Sequence, residues 1–227
     1  MGFNSTNSSV PPVRPSGVAS FMRRRAIWFI LKGVIAVAFL ACTLTASAQS
    51  ASDDADPEAG SHEIQFWAGG GHSLAGGEHN TDVMNFGFRY GWMLTDPHGP
   101  SFLRGRFEFA VDAVPAFLFF QPSTSTAYAA GLDPVVLKWD FAPKGDIKPY
   151  FDITEGFLIS NTFVPPGASH VNFQSGFALG VDVFHGRYYF SPEIRFMHIS
   201  NAAISNYNPG INTIQARIGF GFFSRKK

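Results

Sequence analysis

Residues 84–94 read Met84-Asn85-Phe86-Gly87-Phe88-Arg89-Tyr90-Gly91-Trp92-Met93-Leu94. Successive side chains of an extended chain point to opposite sides, so Met84, Phe86, Phe88, Tyr90, Trp92 and Leu94 share one face and Asn85, Gly87, Arg89 and Gly91 the other. A helix would scatter these aromatics around its axis. A strand gathers them into one apolar stripe.

The same period of two recurs along the chain. Leu103, Gly105, Phe107, Phe109 and Val111 oppose Arg104, Arg106, Glu108, Ala110 and Asp112. Val171, Phe173, Phe177, Leu179, Val181 and Val183 oppose His170, Asn172, Gln174, Gly176, Gly180 and Asp182. Ile214, Ala216, Ile218, Phe220 and Phe222 oppose Gln215, Arg217, Gly219 and Gly221. With weaker runs near 63–70, 125–140, 148–160 and 187–200, the pattern predicts eight strands and no amphipathic helix between them. Sandwich strands average about five or six residues. Runs of roughly ten, apolar and aromatic on one face and polar on the other, are what a membrane barrel requires, because closure satisfies every backbone group without water. The expected fold is therefore an all-β, eight-stranded antiparallel up-and-down transmembrane barrel over residues 62–227.

Connections support the assignment. Those between strands 2 and 3, 4 and 5, and 6 and 7 read as short, the last little more than His185-Gly186, while those between 1 and 2, 5 and 6, and 7 and 8 read as about ten residues. Short turns alternating with longer loops suit a barrel whose termini share the periplasmic side. The segment from Val114 to Ser125 is unassigned, because Phe117–Phe120 is continuously apolar.

Ahead of the barrel, Arg23-Arg24-Arg25, an apolar run from Ala26 to Leu44 and Ala46-Ser47-Ala48 form a signal sequence with cleavage expected after Ala48. Residues 1–48 are read as leader and signal peptide, with Met22 an alternative start, and 49–61 as an acidic tail. A retained transmembrane anchor and a lipoprotein signal ending at Cys42 stay open for the same segment. Cys42 is the only cysteine, so the mature chain would have no thiol. The mature chain keeps 12 Lys and Arg against 17 Asp and Glu, a net charge of −5 that argues against nucleic acid as a partner.

Inward Arg89, Arg104, Arg106, Glu108, Asp112, Asp182, Arg187, Glu193, Arg195 and Arg217 are expected to pair in a narrow lumen, which argues against a general pore. Gly69-Gly70-Gly71 reads as the end of a strand opening into a flexible loop. His72 and His79 flank that loop without metal-ligand spacing. No metal or cofactor is expected.

Strand 7 holds the anomaly. Its outward face runs Tyr188, Phe190, Pro192, Ile194 and Phe196, then His198 and Ser200. A serine hydroxyl needs a base to become a nucleophile, and a same-face histidine two residues away can supply it. The base in turn needs an orienting group, and Asn212, at the start of strand 8, shares the outward parity. Polar residues at a strand end in the head-group zone are the plain alternative.

The run His198-Ile199-Ser200-Asn201-Ala202, followed by Asn208-Pro209-Gly210, resembles the signature of the lipid A 3-O-deacylase family, also called acyloxyacyl hydrolases. The specific part of the likeness covers residues 193–219. It implies an eight-stranded outer-membrane barrel that cuts the ester-linked acyl chain at position 3 of lipid A with a serine, histidine and glutamate triad on its outer wall. By position it implies Ser200 as nucleophile and His198 as base, with Asn201, Asn208 and Gly210 positioning the site or helping an oxyanion hole. Where the family pattern has its glutamate, this chain has Asn212. Glu193 points to the lumen by parity, and Glu155 has outward parity but lies on strand 5, with strand 6 intervening. Two functions follow as expectations. One is a lipid A esterase of the bacterial outer membrane, with lipopolysaccharide and membrane lipids as partners and a homodimer compatible. The other is a non-catalytic barrel serving envelope structure or adhesion.

Overall fold

The computed structural model describes residues 56–122 and 124–224. The predicted leader and signal peptide, and the first part of the tail, lie outside the described residues. Eight strands follow one another: β1 (His62–Ser73), β2 (Asp82–Met93), β3 (Gly105–Phe120), β4 (Ala127–Phe141), β5 (Ile147–Val164), β6 (Ser169–His185), β7 (Tyr188–Ser200) and β8 (Ile211–Phe223). Each pairs antiparallel with its neighbour, and β8 returns to β1, closing the barrel. Closure leaves no unpaired edge, which a bilayer could not solvate.

Alternation is realised almost residue by residue. On β2, Met84, Phe86, Phe88 and Tyr90 are exposed while Asn85 and Arg89 are buried. The outer wall is apolar, with Leu179, Ile194 and Phe220 each more than half exposed. Tyr90, Trp92 and Phe109 pack together near the end that carries both termini, as do Tyr188, Phe220 and Phe222, through edge-on and stacked contacts in the manner of an interfacial aromatic girdle.

The lumen is filled by an ionic ladder. Arg89 binds Asp112 through two bonds of 2.7 and 3.0 Å, Arg195 binds Asp152 at 2.9 Å and Glu193 at 2.7 Å, and Arg217 binds Glu193 at 2.8 Å. Lys138 contacts Asp140 and Asp182 at 2.9 Å and reaches Glu63 and Glu108 at 3.5 Å. The space among Trp67, Asp133, Arg195 and Arg217 is about 10 Å³, the room of a single water. The charges of this ladder persist in the interior because each faces an opposite partner, while buried Asp133 accepts from the Gln174 amide.

Several expectations are corrected. Arg104 precedes β3 and is exposed, and Arg187 lies in the β6–β7 turn, where its guanidinium covers the Tyr188 and Phe222 rings, so neither enters the lumen. His170 is exposed near the irregular pairing of β5 with β6, its ring against Phe163. Residues 94–104 form a long connection between β2 and β3, containing a single 3-10 turn at Ser101–Leu103. The loop expected between β5 and β6 is only 165–168, since both strands extend into it. Residues up to Phe120 belong to β3, which bulges twice against β4. Phe117 and Phe119 turn inward and stack at 4.5 Å. The lumen is apolar toward this end, so inner and outer faces are both hydrophobic and the alternation disappears from the sequence.

The glycine run is strand rather than loop, because Gly69, Gly70 and Gly71 pair with Arg217, Ala216 and Gln215 of β8. A Cβ on Gly71 would stand 2.1 Å from the Ile214 carbonyl oxygen, so only glycine lets β1 approach at the closure seam. Of the acidic tail, Asp56 is salt-bridged to Arg106 at 3.0 Å and to Lys148 at 3.1 Å, which holds it against the barrel mouth.

Candidate active site

His198, Ser200 and Asn212 all lie on the outer wall at the end of the barrel opposite the termini, His198 and Ser200 on β7 and Asn212 on β8. His198 and Asn212 are directly paired across the two strands. His198 Nδ1 stands 2.7 Å from Asn212 Oδ1. The amide's orientation follows from its other end, since Asn212 Nδ2 donates to the Gly76 carbonyl at 2.9 Å. An oxygen there would face another oxygen. Asn212 therefore presents its acceptor to the ring, Nδ1 carries the proton and donates it, and Nε2 is left as the basic nitrogen.

The β1–β2 loop, residues 74–81, clasps this end of β8. Leu74 N–H donates to the Asn212 carbonyl at 2.6 Å and Glu78 N–H to the Gly210 carbonyl at 2.8 Å. Gly210 lies in the left-handed region, with φ +66°, and a Cβ there would come within 2.9 Å of His198 Cε1. Both features call for glycine, and the close backbone walls one side of the imidazole.

Ser200 shares the outward face with His198, two residues and about 7 Å of strand apart. Among the described residues no hydrogen bond joins its hydroxyl to His198. A serine rotamer change shortens that gap, and catalytic hydrogen bonds commonly tighten only with substrate in place. Phe173 of β6 lies beside Ser200, and Phe157 of β5 lies beside Phe173, an apolar row leading away from the hydroxyl.

The turn after Ser200 is strained and strongly held. Ala202 and Ala203 take positive φ values of 48° and 63°, a conformation costing an L-residue roughly 1–2 kcal/mol. Buried Asn201 offsets this. Its Nδ2 donates to Ser205 Oγ at 2.9 Å and the Tyr207 carbonyl at 3.0 Å, and its backbone N–H to Asn208 Oδ1 at 3.0 Å. Both Asn201 amide hydrogens are thus spent inside the loop. Asn208 is exposed, and among the described residues its Nδ2 makes no hydrogen bond.

The two glutamates fall where parity put them. Glu193 is buried in the lumen with Arg195, Arg217 and Tyr150. Glu155 is outward and exposed, accepting a 2.6 Å bond from Ser175 Oγ. Two contributors escaped sequence reasoning. The Gly76 carbonyl had no signal, because it comes from a loop distant in sequence. Ser175 did have one, as the polar interruption between Phe173 and Phe177 on the apolar face of β6.

Comparison with known proteins bears on the family and the fold. The family model described as lipid A 3-O-deacylase (PagL) matches residues 84–221, more than half of the chain and a span that includes His198, Ser200 and Asn212. Among solved structures the chain is similar to the outer membrane enzyme PagL, at 19% identity and a TM-score of 0.52, over 68% of this chain and 97% of that one. It is also similar to the outer membrane protein OprG from Pseudomonas aeruginosa, at 13% identity and a TM-score of 0.50, over 77% of this chain and 100% of that one. At such identities these likenesses carry the fold alone. Among curated proteins no match is found. On the family match, this outer-membrane β-barrel belongs to the lipid A 3-O-deacylase family.

Proposed function

We propose that the chain is a serine esterase of the outer membrane that removes the ester-linked acyl chain at position 3 of lipid A. The supporting observation is the His198–Asn212 pair, whose amide is turned so that Nε2 of the ring is free to act as base. An amide presenting its NH2 group to the ring would force the other tautomer, a fault worth roughly 10⁴-fold in a serine triad. Asn212 avoids that fault.

In this mechanism Ser200 Oγ attacks the ester carbonyl carbon as His198 Nε2 takes its proton. Charge then develops on the carbonyl oxygen, and Asn208 Nδ2 donates to it. The tetrahedral intermediate collapses, the imidazolium returns the proton to the departing sugar oxygen, and the acyl group remains on Ser200. A water deprotonated by His198 then attacks the acyl-enzyme, releasing the fatty acid and restoring the serine. Asn201 and Gly210 act as positioning residues, the first by holding the turn and the second by walling the imidazole. A site on the outer wall suits a substrate whose chains already lie in the bilayer, while the strand end admits water.

One observation favours a second reading. Asn212 is neutral and cannot stabilise the imidazolium as a carboxylate would, which suits a barrel that has lost catalysis and serves a structural or adhesive role. Mass spectrometry of lipid A from outer membranes containing the wild type or Ser200→Ala separates the two, with heat-modifiable gel mobility confirming that both proteins fold. Loss of one hydroxyacyl chain with the wild type alone supports the esterase. Identical, unmodified lipid A from both rejects it.

A further inference from the structure

The outer wall carries a polar row lying between hydrophobic ones and crossing four adjacent strands: Glu155 of β5 pairs with Ser175 of β6, Ser175 with His198 of β7, and His198 with Asn212 of β8. The rows on either side are hydrophobic. Toward the termini lie Ile153, Phe177, Phe196 and Ile214, and away from them Phe157 and Phe173 lead to Ser200. Glu155 is the only carboxylate facing outward in the interior of any described strand, and its one side-chain partner is the Ser175 hydroxyl. An ionisable side chain on a lipid-facing wall is costly, and the packing of β5 does not require it.

Resting on the esterase reading, we infer that Glu155, held by Ser175, is the positioning carboxylate of this site and supplies by charge what Asn212 cannot. The two tasks of a triad acid are then divided. Asn212 fixes the ring's tautomer and direction through Nδ1, and Glu155 stabilises the imidazolium across the row. Two interstrand spacings place it roughly 10 Å away between backbones, and its side chain is drawn along the outer wall toward Ser175. Against lipid such a charge is poorly screened.

The other charged groups around His198 are less suited. β6 offers Ser175 and no charge beside the ring, and β8 offers Asn212. His72 of β1 and Asp82 of β2 pair with each other at 2.5 Å. Glu78 and His79 sit on the water-facing β1–β2 loop, where solvent screens them. Behind β7, Arg195 is matched by Asp152 and Glu193 in the lumen.

The test uses the full barrel in bilayers, with wild type, Glu155→Gln, Asn212→Glu and the double variant. Gln is neutral and of the same shape on an exposed wall, so folding is kept. Two readouts are taken: deacylation kinetics on lipid A, and ¹⁵N NMR of the His198 ring followed through a pH series. Glu155→Gln is expected to reduce the imidazolium fraction and to lower kcat roughly tenfold with KM within about twofold, the scale of one charge over about 10 Å at an effective dielectric constant near 20. Asn212→Glu is expected to restore kcat in the Glu155→Gln background and to gain less in the wild type. An unchanged ring signal, or an equal gain from Asn212→Glu in both backgrounds, overturns the inference. The two claims fail separately. A ring that responds to Glu155→Gln in a wild type without deacylase activity removes the esterase reading alone, and an active wild type with an unresponsive ring removes the role of Glu155 alone.

Discussion

Asn212 Oδ1 lies 2.7 Å from His198 Nδ1 while Asn212 Nδ2 lies 2.9 Å from the Gly76 carbonyl oxygen, so one side chain ties the imidazole of β7 to the loop joining β1 and β2. A glutamate could accept from the ring equally well, but its second oxygen would meet the Gly76 carbonyl without a proton between them. Asparagine therefore gives up charge and gains a loop contact.

That exchange sets the expected behaviour of Asn212→Glu. Turnover should rise, by less than the roughly tenfold regained in the Glu155→Gln background, because the imidazolium gains an adjacent negative charge, while the 74–81 loop loses its bond to Asn212 Nδ2 and becomes easier to cleave. Kinetics on lipid A and limited proteolysis check the two halves separately. Asn212→Ala should lower kcat by about two orders of magnitude through loss of ring orientation, the lower end of what general-base catalysis contributes.

Gly210→Ala should impair the site without harming the barrel. The added methyl meets His198 Cε1 at 2.9 Å on a backbone that disfavours any side chain, so the ring must shift away from Ser200. A loss of kcat of about 10²-fold with unchanged heat-modifiable mobility is expected, since a displacement near 1 Å can cost that much.

Asn201→Ala should release the turn after Ser200. Three hydrogen bonds involve the Asn201 side chain or its backbone N–H, and the side-chain pair is lost while the left-handed alanines keep their strain. Hydrogen exchange over 201–208 should quicken, and turnover should fall together with it. Unchanged exchange would show that the turn is held by other contacts.

Asp152→Ala should act on the fold instead of the site. Asp152 accepts from Arg195 through both oxygens at 2.9 Å and from Arg89 at 3.4 Å, all inside the lumen. Removing it takes one partner each from two buried cations, leaving Arg89 to Asp112 and Arg195 to Glu193, a loss of about 3 kcal/mol, the lower end of what breaking a buried pair costs. The urea midpoint of the heat-modifiable form should drop accordingly.

Much of this molecule was legible from side-chain parity. Strand number, the inward placement of Glu193, Arg195 and Arg217, and the shared outward face of His198, Ser200 and Asn212 all follow from a period of two. Parity failed where both faces are alike, as at Phe117–Phe120, and where a residue sits in a turn, as Arg104 and Arg187 do. It also mistook Gly69-Gly70-Gly71 for a loop, because the reason for three glycines is the backbone of β8, which is far away in sequence.

Parity is a local property, fixed by the alternation of the backbone, and it sorts every strand residue into lumen or wall before any strand has found its partner. The sequence by itself therefore determined a barrel and the side of its wall on which a histidine and a serine would stand. Register and closure are not local. They depend on which strands meet and by how many residues they slide, and only the tertiary structure decided that Asn212 turns its oxygen to His198, that the Gly76 carbonyl holds it there, and that Glu155 and Ser175 share the row of His198.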